Sequence, residues 1–269
     1  MPQNQPETLY RYKYREMNDA NLKIITEGTI RFSSPLEFND PFDCLPAIDM
    51  ESIEQMFQRR PELLKRAGDF RGLSPAKRLL HKGKFIANAR KAVLSGDWAR
   101  SVNSSVGLFC LSCDPCHPLM WAHYAKNHTG FTVEFSIGMD APEEDLMVMI
   151  PYPVHYVEDR PVIDWAAKTV DLDKTLLTKS KHWEYEQEER ALNPQQGPGI
   201  YKYSRKLFLK AVIAGAKMSS DDLTKLREAV ARAGSEIGKP IAFYQAQLSD
   251  TRYRVFIPGH PDPAINADD

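Results

Sequence analysis

The densest chemistry in the chain lies at residues 183–190, WEYEQEER. On an extended backbone successive side chains alternate faces. Glu186, Glu188 and Arg190 would then share one face, with Tyr185, Gln187 and Glu189 on the other. Two carboxylates on one face repel, and the arginine two residues on offsets part of that repulsion. Acidic residues have low strand propensity, so such a row is unusual on a strand that only packs. A carboxylate placed there could stabilise a cation, orient a hydroxyl or act as a general base. The plainer alternative is a solvated edge strand or the charged face of a helix end.

A second constellation is CLSCDPCHPLMWAHYAKNHTGF, residues 110–131. Cys110, Cys113, Cys116 and His117, with His123 and His128 further on, superficially resemble a metal knuckle. Thiolates at two-residue gaps can close on one ion when the chain doubles back. Cys110 falls within an expected strand, however, and no second CxxC follows, so no metal site is expected. Trp121, His123, Tyr124 and His128 lie just before a strand and could form a stacking wall with hydrogen-bond donors for a heteroaromatic ligand. They could equally be core aromatics anchoring a loop. A third segment, FSSPLEFNDPFD (32–43), ends a strand in Ser33 and Ser34 and turns at Asn39-Asp40-Pro41, with Phe38 and Phe42 expected to pin the turn to the core. The chain has no Walker loop, GxGxxG, HExxH or GxSxG, which removes the common NTPases, dinucleotide-binding dehydrogenases, zincins and α/β-hydrolases.

The elements that must hold these residues are mostly extended. LYRYKY (9–14) alternates and is rich in aromatics. Asn18 or Asp19 then caps a helix carrying Leu22, Ile24 and Ile25 that ends at Gly28. TIRFSS (29–34) reads as a strand stopped by Pro35. VGLFCLS (106–112), GFTVEFS (130–136) and a proline-demoted strand within 147–157 follow. A helix near 164–180 leads into an expected strand at 183–192. LFLKAVIAG (207–215), a helix capped at Ser219 or Ser220, and strands at 241–249 and 253–257 close the chain. Only the strand–helix–strand unit near 207–249 is regular. That argues for an α+β fold, a single mixed or antiparallel sheet domain over 1–269, rather than a doubly wound sheet.

Charge is unevenly spread. The whole chain carries 35 Lys/Arg and 36 Asp/Glu, a net of −1, so no global excess recruits nucleic acid or membrane. Residues 51–100 alone carry a net of +7, and the rest a net of −8. Apolar residues in that basic stretch recur at three and four, and Ser74-Pro75 reads as a helix start. Two or three amphipathic helices with basic outer faces are expected, as a helical insertion within the domain. They are either a solvated face or a surface for a phosphate-rich partner such as nucleic acid or a nucleotide. Four cysteines make no disulfide framework, the N-terminal residues lack the pattern of a signal peptide, and no apolar run reaches bilayer length. A soluble, cytoplasmic protein with no membrane partner is expected.

Together, LYRYKY, FSSPLEFNDPFD, LFCLS, LMWAHYAKNHTGFTVEF and the segment from Lys179 through WEYEQEER resemble the bacterial domain-of-unknown-function family 2971, from about residue 9 to 257. That pattern uses Cys110 but neither Cys113 nor Cys116. At fold level the order of elements is similar to ADP-ribosyltransferases that modify DNA and RNA. This resemblance implies NAD as substrate. By position, Arg11 would hold the ribose, Ser33 would brace the glutamate, Tyr124 would stack on nicotinamide, and Glu188 or Glu186 would stabilise the oxocarbenium ion. Trp121, His123 and Arg190 would complete the pocket. The alternative class is a non-catalytic nucleotide- or nucleic-acid-binding module in bacterial defence or signalling, with the 51–100 helices docking nucleic acid.

Overall fold

The computed structural model describes residues 8–169, 171–193 and 196–268, which divide into two compact units. The first comprises the described residues of Met1–Ser33, Gly107–Pro153 and His182–Asp269; the second comprises Ser34–Val106 and Val154–Lys181.

The first unit is built on a seven-stranded mixed sheet, as an α+β fold requires. In chain order its strands are β1 (Thr8–Arg15), β4 (Gly107–Ser112), β5 (Phe131–Gly138), β6 (Tyr152–Pro153), β10 (Glu188–Asn193), β12 (Leu209–Ala214) and β13 (Ala242–Gln245). Across the sheet the order is β13-β12-β5-β1-β4-β10-β6, antiparallel except for the β12–β13 pair. That parallel pair needs a crossover, supplied by α10 (Ser220–Ile237). Ser219 caps α10 by accepting the Asp222 N–H, and Gly238 ends it in the left-handed conformation. At the chain start Asn18 caps α1 (Asp19–Thr26) in the same way. Two strands outside the sheet, β2 (Thr29–Phe32) and β11 (Gly199–Lys202), form a separate ribbon. The short helices α6 (Pro118–Tyr124), α7 (Glu143–Leu146), α9 (Arg205–Phe208) and α11 (Pro263–Asn266) and the strand pair β14 (Gln247–Leu248) and β15 (Val255–Phe256) complete the unit.

Alternation along the strands feeds two cores. One holds Phe32, Phe109, Leu111, Val133 and Phe135 against α1 and α10. The other holds Tyr12, Tyr14, Trp121, Ile213, Val255 and Ile257. LYRYKY thus contributes its second and third tyrosines to burial, while Arg11 and Lys13 point the other way.

The second unit contains the basic stretch. Four helices cover it: α2 (Met50–Arg59), α3 (Pro61–Phe70), α4 (Pro75–Leu94) and α5 (Asp97–Ser105). Met56, Phe57 and Phe85 form their shared core with Ala166. The strands β3 (Ala47–Asp49), β7 (His155–Val157), β8 (Val162–Asp164) and β9 (Thr178–Ser180) pair in parallel as β3–β8 and β7–β9.

Three local expectations need correction. The helix anticipated near 164–180 is instead the end of β8, a short helix α8 (Leu172–Leu176) and β9; Val170 lies outside the described residues. Asp164 and Asp171 each turn the chain by accepting a nearby backbone N–H, which restarts structure twice within that span. Phe42 does not pin its turn to the core. It is 60% exposed, with the Arg160 guanidinium over its ring. The expected strand at 183–192 begins only at Glu188, because residues 181–186 form a 3-10 helix and Gln187 sits at φ +42°.

Candidate functional site

The break at Gln187 decides where the three glutamates go. Ser112, the last residue of β4, donates its hydroxyl to the Glu186 carbonyl (2.7 Å), and the Cys113 N–H donates to the Gln187 carbonyl (3.0 Å). These bonds hold a left-handed residue that carries a side chain, a conformation tolerated only where its surroundings impose it. Alternation cannot run through such a kink. Glu186 therefore leaves the strand row that sequence spacing gave it.

Each glutamate has its own partner. The Tyr124 hydroxyl donates to Glu186 Oε1 at 2.6 Å. Arg190 grips Glu188 at two points, Nε to Oε1 (2.8 Å) and Nη2 to Oε2 (2.9 Å). Arg11 grips Glu189 in the same manner, at 2.6 and 2.7 Å. Both are two-point guanidinium–carboxylate contacts, the strongest common ion-pair geometry. Arg190 is fully buried, and Glu186 and Glu188 are 3% and 6% exposed.

The structure thus joins Tyr124 to Glu186 and Glu188 to Arg190, and it corrects the arrangement expected for the others. Arg11 pairs with Glu189 on the opposite strand face, not with Glu186 or Glu188. Ser33 uses its main chain in a two-way bridge to Leu108 (2.9 Å each way). The serine hydroxyl that touches the 186–188 turn belongs to Ser112. Tyr185, which an extended backbone would put on the face opposite Glu186, is half-buried and stacks on His117 (5.2 Å between centroids).

That stack belongs to an aromatic cluster. Tyr185 also meets Trp183 (6.0 Å) and His123 (6.4 Å), and His123 touches Trp183 and Tyr124. His123 is exposed and the others are partly so, leaving ring surface for a planar ligand. Trp121 takes no part in that surface. It is fully buried, edge-on to Tyr14 at 5.2 Å, with its indole N–H donating to the Pro115 carbonyl (2.8 Å).

What positions Tyr124 is an unusual turn. Lys126, Asn127 and His128 all have positive φ, +48°, +56° and +71°. Left-handed backbone costs a residue with a Cβ roughly 1–2 kcal/mol, and three in succession are rarely seen. The turn is fastened by His128 N–H to the Trp121 carbonyl (3.2 Å), Gly130 N–H to the Ala125 carbonyl (2.8 Å) and Gly215 N–H to the Gly130 carbonyl (2.8 Å). A Cβ at Gly130 would lie 2.2 Å from the Arg15 carbonyl oxygen, so only glycine fits there.

Beside the cluster opens a groove of about 650 Å³, lined by Cys113, Cys116, His117, Gln187, Arg252 and Arg254 among others. The His117 Nδ1 is buried and has no hydrogen-bond partner among the described residues. The cysteine thiols diverge: Cys110 interacts with Glu188, Cys113 with Glu189, and Cys116 lies 3.9 Å from the Ile265 carbonyl. Burial raises all three thiols, Cys113 to about 11 and Cys116 to about 12. Among the described residues no group of three or more His, Cys, Asp or Glu is arranged to hold a metal ion.

Two groups escaped the sequence reading. His260 and Glu134 form a buried pair at 3.0 Å. The Asp262 N–H donates to His260 Nδ1, which leaves Nε2 as the donor to the carboxylate. Their 126-residue separation gave no signal. Lys13 donates to the Cys110 carbonyl (2.6 Å) and stands over the Phe109 ring. Burial, reinforced by Arg15, pushes its ammonium down to about 8 against the pull of Cys110, Glu188 and Glu186. From about pH 8 up to its unfolded value, the unfolded chain keeps a proton that the folded chain has released, so stability rises with pH across that window. Below it both states are charged and the contribution is flat. Melting curves should therefore show the parent gaining stability relative to Lys13→Met between about pH 8 and 10, and the two running parallel near pH 7.

A family model described as "Protein of unknown function (DUF2971)" matches residues 120–191, which hold most of α6, β5 and β10 up to Ala191. No curated protein and no solved structure matches the chain.

Proposed function

We propose that this site takes NAD and transfers ADP-ribose to a nucleic acid or protein acceptor, a reading made from the chain's own residues because the family model that matches residues 120–191, DUF2971, carries no function. The supporting observation is the buried Glu186 carboxylate, hydrogen-bonded by Tyr124 at the edge of an aromatic cluster. The nicotinamide ring would lie against His123 and Tyr185. As the bond from ribose to nicotinamide breaks, positive charge develops on the sugar. A carboxylate held in place beforehand stabilises that charge more in the transition state than in the ground state. Glu186 is assigned this role because Tyr124, at the edge of the aromatic cluster, holds its Oε1. The groove lined by His117 and Arg252 adjoins the cluster and offers room for the remainder of the dinucleotide. Four free cysteines accord with the reducing cytoplasm as the compartment.

The test has two stages. NAD at 100 times its dissociation constant should add about 2.7 kcal/mol of stability, read as a thermal shift. Glu186→Gln should keep that shift and lose roughly 100- to 1000-fold in release of nicotinamide. An absent shift at millimolar NAD defeats the reading. A shift with no turnover in the parent protein leaves the second reading, a non-catalytic nucleotide-binding module, which the occupied carboxylates of Glu188 and Glu189 favour.

A further inference from the structure

Helix α4 has two apolar faces, and only one of them is used. Phe85, Ile86 and Ala89 face the core of the second unit with Met56, Phe57 and Leu64. The opposite face leaves Leu80 84%, Leu94 71% and Leu79 69% exposed. Ala76, Leu80, Gly83, Ala87, Arg90 and Leu94 are spaced alternately by four and three residues, the spacing of a coiled-coil seam. Gly83 opens the middle of that seam, since a Cβ there would meet nothing within 4 Å. Along one flank run Lys77, Lys84 and Lys91, each seven residues from the next. Five arginines of this unit are differently placed. Arg59, Arg60, Arg78, Arg90 and Arg100 each pair with a carboxylate, whereas no carboxylate of the described residues lies within ion-pair distance of the three lysines.

We infer that the outer face of α4 docks an amphipathic helix of a partner protein, with leucine-type residues in its seam and carboxylates facing the lysine flank. Charge complementarity selects this occupant. A nucleic acid would engage the lysines but give Leu80 and Leu94 nothing apolar to meet. A second copy in antiparallel register would set the lysine flanks against each other. In parallel register it would set the lysines against the row that begins at the exposed Leu79, which neutralises nothing. A helix with glutamates at seven-residue intervals satisfies both the apolar seam and the charges. Seam burial would supply affinity, and the lysines would supply orientation and rate of encounter.

The probe is a labelled three-heptad peptide with leucine at the two seam positions and glutamate at both flanks, titrated with the full chain and followed by fluorescence anisotropy. The same peptide with lysine flanks is the control. The acidic peptide should bind and the basic one should not. Leu80→Ser/Leu94→Ser should weaken binding at least about tenfold, as loss of central apolar anchors does. Lys77→Glu/Lys84→Glu/Lys91→Glu should reverse the preference between the two peptides. All five positions are exposed, so circular dichroism should be unchanged. Equal binding of both peptides, or of neither, overturns the inference. So does a duplex oligonucleotide whose binding is lost with the lysines and indifferent to the leucines, which would make this a nucleic-acid surface. Concentration-dependent self-association abolished by Leu80→Ser/Leu94→Ser would overturn it in favour of a second copy.

Discussion

Arg190→Met should destabilise the protein by about 3–5 kcal/mol, the cost of breaking a buried ion pair from one side. Arg190 is fully buried and spends two of its nitrogens on Glu188, itself 6% exposed. Methionine replaces the volume but leaves a carboxylate buried without its cation. Adding Glu188→Gln to the same chain should return part of the loss, since a neutral amide is cheaper to bury than an unpaired carboxylate. Arg190→Lys should fall between, because one ammonium cannot reproduce the two-point contact. Urea unfolding with an unchanged slope is the measurement. A midpoint for Arg190→Met within error of the parent would mean that the pair contributes nothing net.

Trp121→Ala should cost a similar amount, about 3–5 kcal/mol, for a different reason. The indole fills the second core against Tyr14, and its N–H satisfies the Pro115 carbonyl. It also lies parallel to the His128 ring, 6.4 Å away, at the close of the left-handed turn. Trp121→Phe keeps most of the apolar contact and leaves the Pro115 carbonyl unpaired, so it should cost about 1–3 kcal/mol. The ratio of the two losses separates packing from the hydrogen bond. If alanine proved no worse than phenylalanine, packing of the indole would not be what matters.

Much of the scaffold was legible because local signals and burial agree. The alternation of LYRYKY survives as β1, since tyrosines and cations sort to opposite faces of a strand. Ser219 marks the start of α10 because it solves a defined backbone problem, an unpaired N–H. The site was less legible. At residues 186–190 the spacing puts Glu186, Glu188 and Arg190 on one face, an alternation that fails at Gln187. Nothing in a glutamine announces φ +42°; Ser112 and Cys113, more than seventy residues earlier, impose it. The left-handed run at 126–128 is hidden in part for the same reason, as Gly215 and Lys217 fasten it from far along the chain. The aromatic wall was anticipated in part. His123 and Tyr124 stand in it, whereas Trp121 does not, because its ring is better paid in the core than at the surface.

The place of β1 at the centre of the sheet has a consequence for how the chain comes to be folded. Its neighbours are β4 and β5, so neither edge of the first strand can be satisfied locally. At the usual pace of synthesis, the roughly 90 residues between Arg15 and Gly107 take on the order of 5–20 s to emerge. Throughout that interval an aromatic strand with two open edges waits for partners that do not yet exist. Long-range pairing of this kind slows folding and lengthens exposure to wrong partners. The alternating Arg11, Lys13 and Arg15 charge that strand positively during the wait, which keeps nascent copies apart until β4 and β5 arrive.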